Sequence, residues 1–195
     1  MAKDQIDLSS WRYYLSLEKQ FLATIDFVEI GEANSSTYSN EYAKLLLLIG
    51  SEVDVVAKQL CRLISPCANP DSILKYQEII VSGFDEFHET EVGSSSFPIS
   101  TKPWSNWGDS PPQSPSWWCA YNDVKHHRDN KFNLANQKNT IDALGGLLVI
   151  HICYYVALTK KRDTPSPAPR LLDNGFPGYL ITEGEIQHRI KPNFL

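Results

Sequence analysis

The run Ala143-Leu144-Gly145-Gly146-Leu147-Leu148-Val149-Ile150-His151-Ile152-Cys153-Tyr154-Tyr155-Val156-Ala157-Leu158 points to the fold class. It makes up all but the last residue of the longest uncharged stretch of the chain, and its 16 residues fall short of the about 20 that carry a helix across a bilayer. A helix that is apolar on every side needs neighbours on every side. The run therefore reads as the centre of a core helix extending from roughly Asn133 to Lys161. Within it, Gly145-Gly146 suits close helix packing, and His151 reads as a hydrogen-bonded core histidine.

Helices that could surround it lie upstream. Ser39 to Ser65 forms the clearest one, stopping before Pro66. At about 100° per residue, its Leu45, Ile49, Val53, Val56, Leu60 and Leu63 fall within a stripe of roughly 80°. Ser9-Ser10 can cap a first helix that continues to about Ile30, with Trp11, Leu15, Leu22, Ile25 and Val28 at helical spacing and Gly31 ending it. Asn69-Pro70-Asp71 opens a third, whose apolar positions are Ile73, Leu74, Tyr76, Ile79 and Ile80. Ser114 or Ser116 starts another, through Trp117, Trp118 and Tyr121 to about His127.

Between Gly83 and Pro115 the periodicity fails, broken by Gly93-Ser94-Ser95-Ser96, Pro98, Pro103, Gly108, Pro111, Pro112 and Pro115. Phe97, Ile99, Trp104 and Trp107 suggest that this long loop packs on the body. Arg162 to Pro169 reads as a Pro-rich linker. Residues 178–182 and 185–190 flank Gly184 as a small hairpin. The expected architecture is all-α: a four- to five-helix bundle over 1–161 with a loop insertion at about 83–115, followed by a linker and a short β-hairpin over 162–195.

Composition narrows the function classes. The 195 residues carry 18 Lys and Arg against 23 Asp and Glu, for a net charge of −5. That excludes a uniformly basic nucleic-acid coat, so any nucleic-acid role must be local. Four cysteines without a CxxC pair read as reduced, core-packed thiols. The first seven residues, Met1 to Asp7, lack the apolar segment of a signal peptide, and a cytoplasmic protein without membrane association is expected.

Two places could carry chemistry. Glu52 lies about 20° from the Leu45 edge of the apolar stripe, where a carboxylate needs a donor or an altered ionisation. It reads either as a boundary residue paired with a cation or as part of a polar site between helices. The second place is Trp117-Trp118-Cys119-Ala120-Tyr121-Asn122-Asp123-Val124-Lys125-His126-His127-Arg128-Asp129. On a helix, Trp118, Asn122, Lys125 and Asp129 share one face and His126 adjoins it. An amide, an ammonium, imidazoles and a guanidinium beside two Trp suit binding of an anion or phosphate, or acid–base work by His126 or His127. The plainer reading is a solvated helix end whose cations complement the helix dipole. Metal is not expected, because His126 and His127 diverge and Cys119 lies about 10.5 Å of helix rise from His126. Cys119 has no base within helical reach, and no cofactor motif is present.

The segments Trp117-Trp118, Tyr121-Asn122-Asp123-Val124-Lys125-His126-His127-Arg128 and Asn133 to Leu148, with Tyr38 to Tyr42 and Ser51 to Lys58, resemble a bacterial branch of the HEPN superfamily (higher eukaryotes and prokaryotes nucleotide-binding). The resemblance spans about Trp11 to Lys161. It implies an all-α, commonly dimeric protein, related to metal-independent ribonucleases of toxin–antitoxin and phage-defence systems. The catalytic signature of that family, an Arg followed after four to six residues by a His, is absent here: Arg12, Arg62, Arg128, Arg162, Arg170 and Arg189 all lack it. Under the resemblance, His126 would be the acid–base group, Lys125 and Arg128 would hold phosphate, and Asn122 and Glu52 would orient them, with His127, Trp118 and Tyr121 binding. The expected ligand is RNA or a nucleotide, with no cofactor. The alternatives are a non-catalytic dimeric interaction protein, for instance one paired with an antitoxin-like partner, in which Phe97 to Trp118 forms the interface and the Asn–Lys–His cluster is a structural network, and a small-molecule pocket lined by the aromatics.

Overall fold

A computed structural model describes residues 7–160 and 165–172, together with the backbone of 180–182, 185–187 and 191–192. The chain is predominantly helical, with α1 (Ser9–Leu22), α2 (Asn40–Ile64), α3 (Ile73–Gly83), α4 (Ser116–Lys131) and α5 (Gln137–Thr159). Strands are short: β1 (Phe84–Asp85), β2 (Val92–Gly93), β3 (Ser100–Thr101), β4 (Leu180–Thr182), β5 (Glu185–Gln187) and β6 (Lys191–Pro192).

Side-chain hydrogen bonds fix three of the helix boundaries. Ser39 caps α2, its Oγ accepting from the Tyr42 amide at 3.1 Å, and Asn136 caps α5, its Oδ1 accepting from the Asn139 amide at 2.9 Å. The α5 start is therefore later than the expected Asn133, because Phe132–Leu134 forms a separate 3₁₀ turn. α1 ends well before Ile30. Thr24 donates its hydroxyl to the Phe21 carbonyl at 2.7 Å, and the backbone tightens into a 3₁₀ turn over Ala23–Asp26. α3 begins at Ile73, after Pro70 and Asp71 rather than on them.

α5 is the central element and packs most extensively along α2. By length and composition it could span a membrane, yet 89% of its most apolar window is buried inside the fold. On the facing side, Leu45, Ile49, Val53, Val56 and Leu60 of α2 are fully buried. Leu63 is not: it stays 37% exposed.

Two glycines set the distance between helices. A Cβ on Gly146 would lie 2.8 Å from Trp117 Cζ2, and one on Gly50 would lie 2.4 Å from Tyr121 Cδ2. Each therefore admits an aromatic ring of α4 against a helix backbone. The Trp-rich loop packs in the same way. Trp104 donates to the Gly146 carbonyl at 3.2 Å and Trp117 to the Pro103 carbonyl at 2.7 Å, and both rings are buried. Removing a Trp anchored like this costs about 3–5 kcal/mol. β2 and β3 pair antiparallel within the loop, Val92 opposite Thr101.

The chain just after the expected linker is seated on α1. Glu18, itself buried, accepts from the backbone amides of Arg170 and Leu171 at 2.9 Å each and of Leu172 at 3.5 Å. Trp11 donates to the Pro167 carbonyl at 3.0 Å. Leu171 and Leu172, just beyond the expected linker of 162–169, are buried and join the core, whereas Ser166, Pro167 and Ala168 within it are exposed. Further on, β4 and β5 pair antiparallel with Ile181 opposite Ile186, and β6 pairs with β1, Pro192 opposite Phe84. The hairpin's expected turn at Gly184, with 178–179 and 188–190, lies outside the described residues.

Candidate functional site

α4 builds the first candidate site by running out of apolar residues. Trp117, Ala120, Tyr121 and Val124 face the body and are buried. Beyond Val124 the helix has nothing to bury, and every residue from Lys125 to Lys131 is exposed. At His127 the backbone leaves helical geometry (φ −137°, ψ 34°) before the last turn resumes. The result is a bent, solvated end carrying Lys125, His126, His127, Arg128 and Lys131.

Within it, Lys125 is the most constrained cation. Its Nζ sits 5.4 Å from the Tyr121 ring centroid and 3.4 Å from the Tyr121 hydroxyl. The ring itself is pinned over Gly50. Asn122 donates to the Trp118 carbonyl at 3.0 Å, so it serves its own helix and does not orient Lys125 or His126. The rings of His126 and His127 lie 6.4 Å apart and tilted by 57°. Trp118 is half-buried against Trp117 and Tyr121. Cys119 is exposed, and partial burial of its thiol together with Asp123 raises its pKa.

Glu52 belongs to a different cluster. Ser10 of α1 donates to Glu52 Oε1, and the same Ser10 Oγ lies 2.9 Å from Nε2 of His151 on α5. Nδ1 of His151 lies 3.0 Å from the Leu147 carbonyl, an oxygen that can only accept. His151 is thus the hydrogen-bonded core histidine expected, but its second nitrogen reaches a hydroxyl that local spacing did not single out. Burial is the main cause that pushes this imidazole down to about 4, against the hydrogen bonds it makes with the Leu147 carbonyl and Ser10, which raise it. Trp11, Tyr14 and Tyr155 surround the ring.

The aromatic-rich loop turns inward. Trp104, Trp107 and Trp117 pack on one another, with centroids 4.2 and 5.2 Å apart, and on Phe87. The three are buried within the chain, which leaves half-buried Phe97 and Trp118 as the aromatics of that stretch with outward surface. A groove of about 340 Å³ is lined instead by Ile30, Glu32, Thr101, Lys138, Ile141 and Asp142. Cys61 and Cys153 are core thiols, whereas Cys67 and Cys119 are exposed. Among the described residues, no three His, Cys, Asp or Glu side chains converge as metal ligands would.

No protein-family model, curated protein or solved structure matches the chain. Its own geometry carries the functional reading.

Proposed function

We propose that the protein binds RNA or nucleotide phosphate through the bent end of α4, with Lys125, Arg128 and Lys131 as phosphate-holding cations. One contrast carries this reading. Lys44, Lys58, Lys75, Lys102 and Lys138 each pair with a carboxylate, to Glu41, Asp54, Asp71, Glu89 and Asp142 respectively. Lys125, Arg128 and Lys131 form no ion pair with a described residue, as Arg12, Lys19 and Arg62 also form none, but these three stand together within one short exposed segment in which Asp129 is the one carboxylate. Three cations against the single carboxylate of Asp129 leave this segment a local excess of positive charge for phosphate, and the acidic groups farther away are screened beyond the Debye length.

The resemblance to HEPN proteins supports the same ligand class and adds a cytoplasmic, dimeric setting and metal-independent cleavage. In that extension His126 acts as the acid–base group on a phosphodiester held by Lys125 and Arg128. Trp118 offers a ring edge for a base. Glu52 and Asn122 take no part, because their hydrogen bonds are made elsewhere.

Fluorescence anisotropy with a labelled single-stranded RNA tests the binding. The triple variant K125A/R128A/K131A should bind at least tenfold more weakly. Each phosphate-holding cation removed should lower the slope of log K against log salt by about 0.7. Equal binding by the triple variant, with the same salt slope, rejects this surface.

A further inference from the structure

The cluster at the junction of α1, α2 and α5 joins a hydroxyl, a carboxylate and a buried imidazole, and the phosphate-binding surface does not use it. We infer that Ser10 is a nucleophile served by His151 as its base, able to take an acyl group from a small, uncharged carboxylic ester.

The geometry fits each role. Ser10 Oγ and His151 Nε2 stand at 2.9 Å, the separation of a nucleophile and its general base. The Leu147 carbonyl, 3.0 Å from Nδ1, requires a proton on that nitrogen and so leaves Nε2 unprotonated and pointed at the hydroxyl. The ring cannot swing away, because Trp11, Tyr14 and Tyr155 enclose it. Burial keeps it neutral through the physiological range.

Ser10 has one hydroxyl proton and two acceptors, His151 Nε2 and Glu52 Oε1. Glu52 therefore competes with the base for that proton. It also repels an acyl group that carries its own carboxylate, which is why the expected substrate is uncharged. Ser10 is half-buried in the first turn of α1, so the ester approaches from the solvent side and must be compact. In that turn the Ser9 amide donates to Asp7 Oδ1 at 2.8 Å and the Arg12 amide to the Leu8 carbonyl at 2.9 Å, which leaves the amides of Ser10 and Trp11 as the ones able to meet a developing oxyanion.

The step balances without a co-reactant other than water. Oγ attacks the acyl carbon while its proton passes to Nε2, the bond to the alkoxide breaks, and Nε2 returns the proton to the leaving alcohol. Water then attacks acyl-Ser10, Nε2 takes a proton from the water, and that proton returns to Oγ. Ester and water become acid and alcohol. A base held near 4 is a weak one, so the rate enhancement belongs at tens of fold and not thousands.

The neighbouring Ser9 supplies an internal control. It is exposed and its hydroxyl donates to Asp7 Oδ2 at 2.9 Å, with no described imidazole in its hydrogen bonds. The full chain is treated with a fluorophosphonate probe, and modified residues are mapped by mass spectrometry. Ser10 should react at least tenfold faster than Ser9, and folded H151Q, checked by circular dichroism, should lose at least tenfold in rate at Ser10. Equal or faster reaction at Ser9, no modification at Ser10, or an unchanged rate in folded H151Q overturns the inference. If H151Q does not fold, the Ser10-to-Ser9 ratio in the unsubstituted chain decides alone.

Discussion

Gly50 of α2 lies beneath the ring of Tyr121 of α4, at a separation where an added Cβ would stand 2.4 Å from Cδ2. The same ring carries Lys125 over its face. A backbone position in the core thus sets the placement of a surface cation. Gly50→Ala gains up to about 1 kcal/mol of helix propensity but forces a ring out of a packed site, which costs about 1–3 kcal/mol. The ring is the side against which the helix crossing is built, so the clash prevails. Urea unfolding should show a net loss of up to about 2 kcal/mol, and RNA affinity should fall with it as Lys125 shifts. Wild-type stability in Gly50→Ala would mean that the two helices separate freely at this point.

Acid should weaken the fold through His151. Its imidazole is held down at about 4, against about 6.5 in an unfolded chain. The unfolded state therefore binds the proton first. Stability is fully present above about pH 6.5, is lost as pH falls toward 4, and levels off below that. The shift corresponds to about 3 kcal/mol over the window. Glu52 through Ser10, Tyr14 and Tyr155 are the titratable groups around the ring, and the carboxylates elsewhere add their own acid sensitivity. Urea midpoints for wild type and His151→Gln at pH 7, 5.5 and 4 isolate the contribution. Parallel curves for the two proteins would exclude His151 as its source.

Glu18 is a buried carboxylate that accepts from the backbone amides of 170–172. Replacing it with Ala removes a charged acceptor and leaves those amides without it, a loss of about 3 kcal/mol. The expected readouts are a lower thermal midpoint and faster proteolysis around 165–172. Unchanged cleavage there would show that Leu171 and Leu172 hold the segment without the carboxylate.

Local periodicity made the helical class and the main packing face of α2 readable, because burial on a helix repeats at a spacing that five of the six stripe residues obey. It misjudged where elements stop. Ile25 and Val28 keep helical spacing past the end of α1, since periodicity does not register a Thr24 hydroxyl that takes the Phe21 carbonyl. Leu63 fits the stripe yet remains 37% exposed. The exposed character of Lys125 to Lys131 follows from the lack of apolar residues there. Glu52 could be singled out by its angle on α2, but not its partners: Ser10 lies 42 residues before it. His151 in turn lies 141 residues after Ser10. Nothing local encodes a pairing across such separations.

Cleavage of RNA, as distinct from binding, makes a separate demand on the end of α4. His126 and His127 are both exposed. A proton acceptor of this kind contributes only once the phosphodiester is seated by Lys125 and Arg128. Any cleavage should therefore persist in EDTA, fall by at least tenfold in His126→Ala with RNA affinity unchanged, and fall in Lys125→Ala together with affinity. The assay follows a fluorescent RNA on denaturing gels beside anisotropy on the same samples. A wild-type chain that binds several RNAs and cleaves none would confine the role of this surface to phosphate recognition. Activity that EDTA abolishes would reject the metal-independent route through His126.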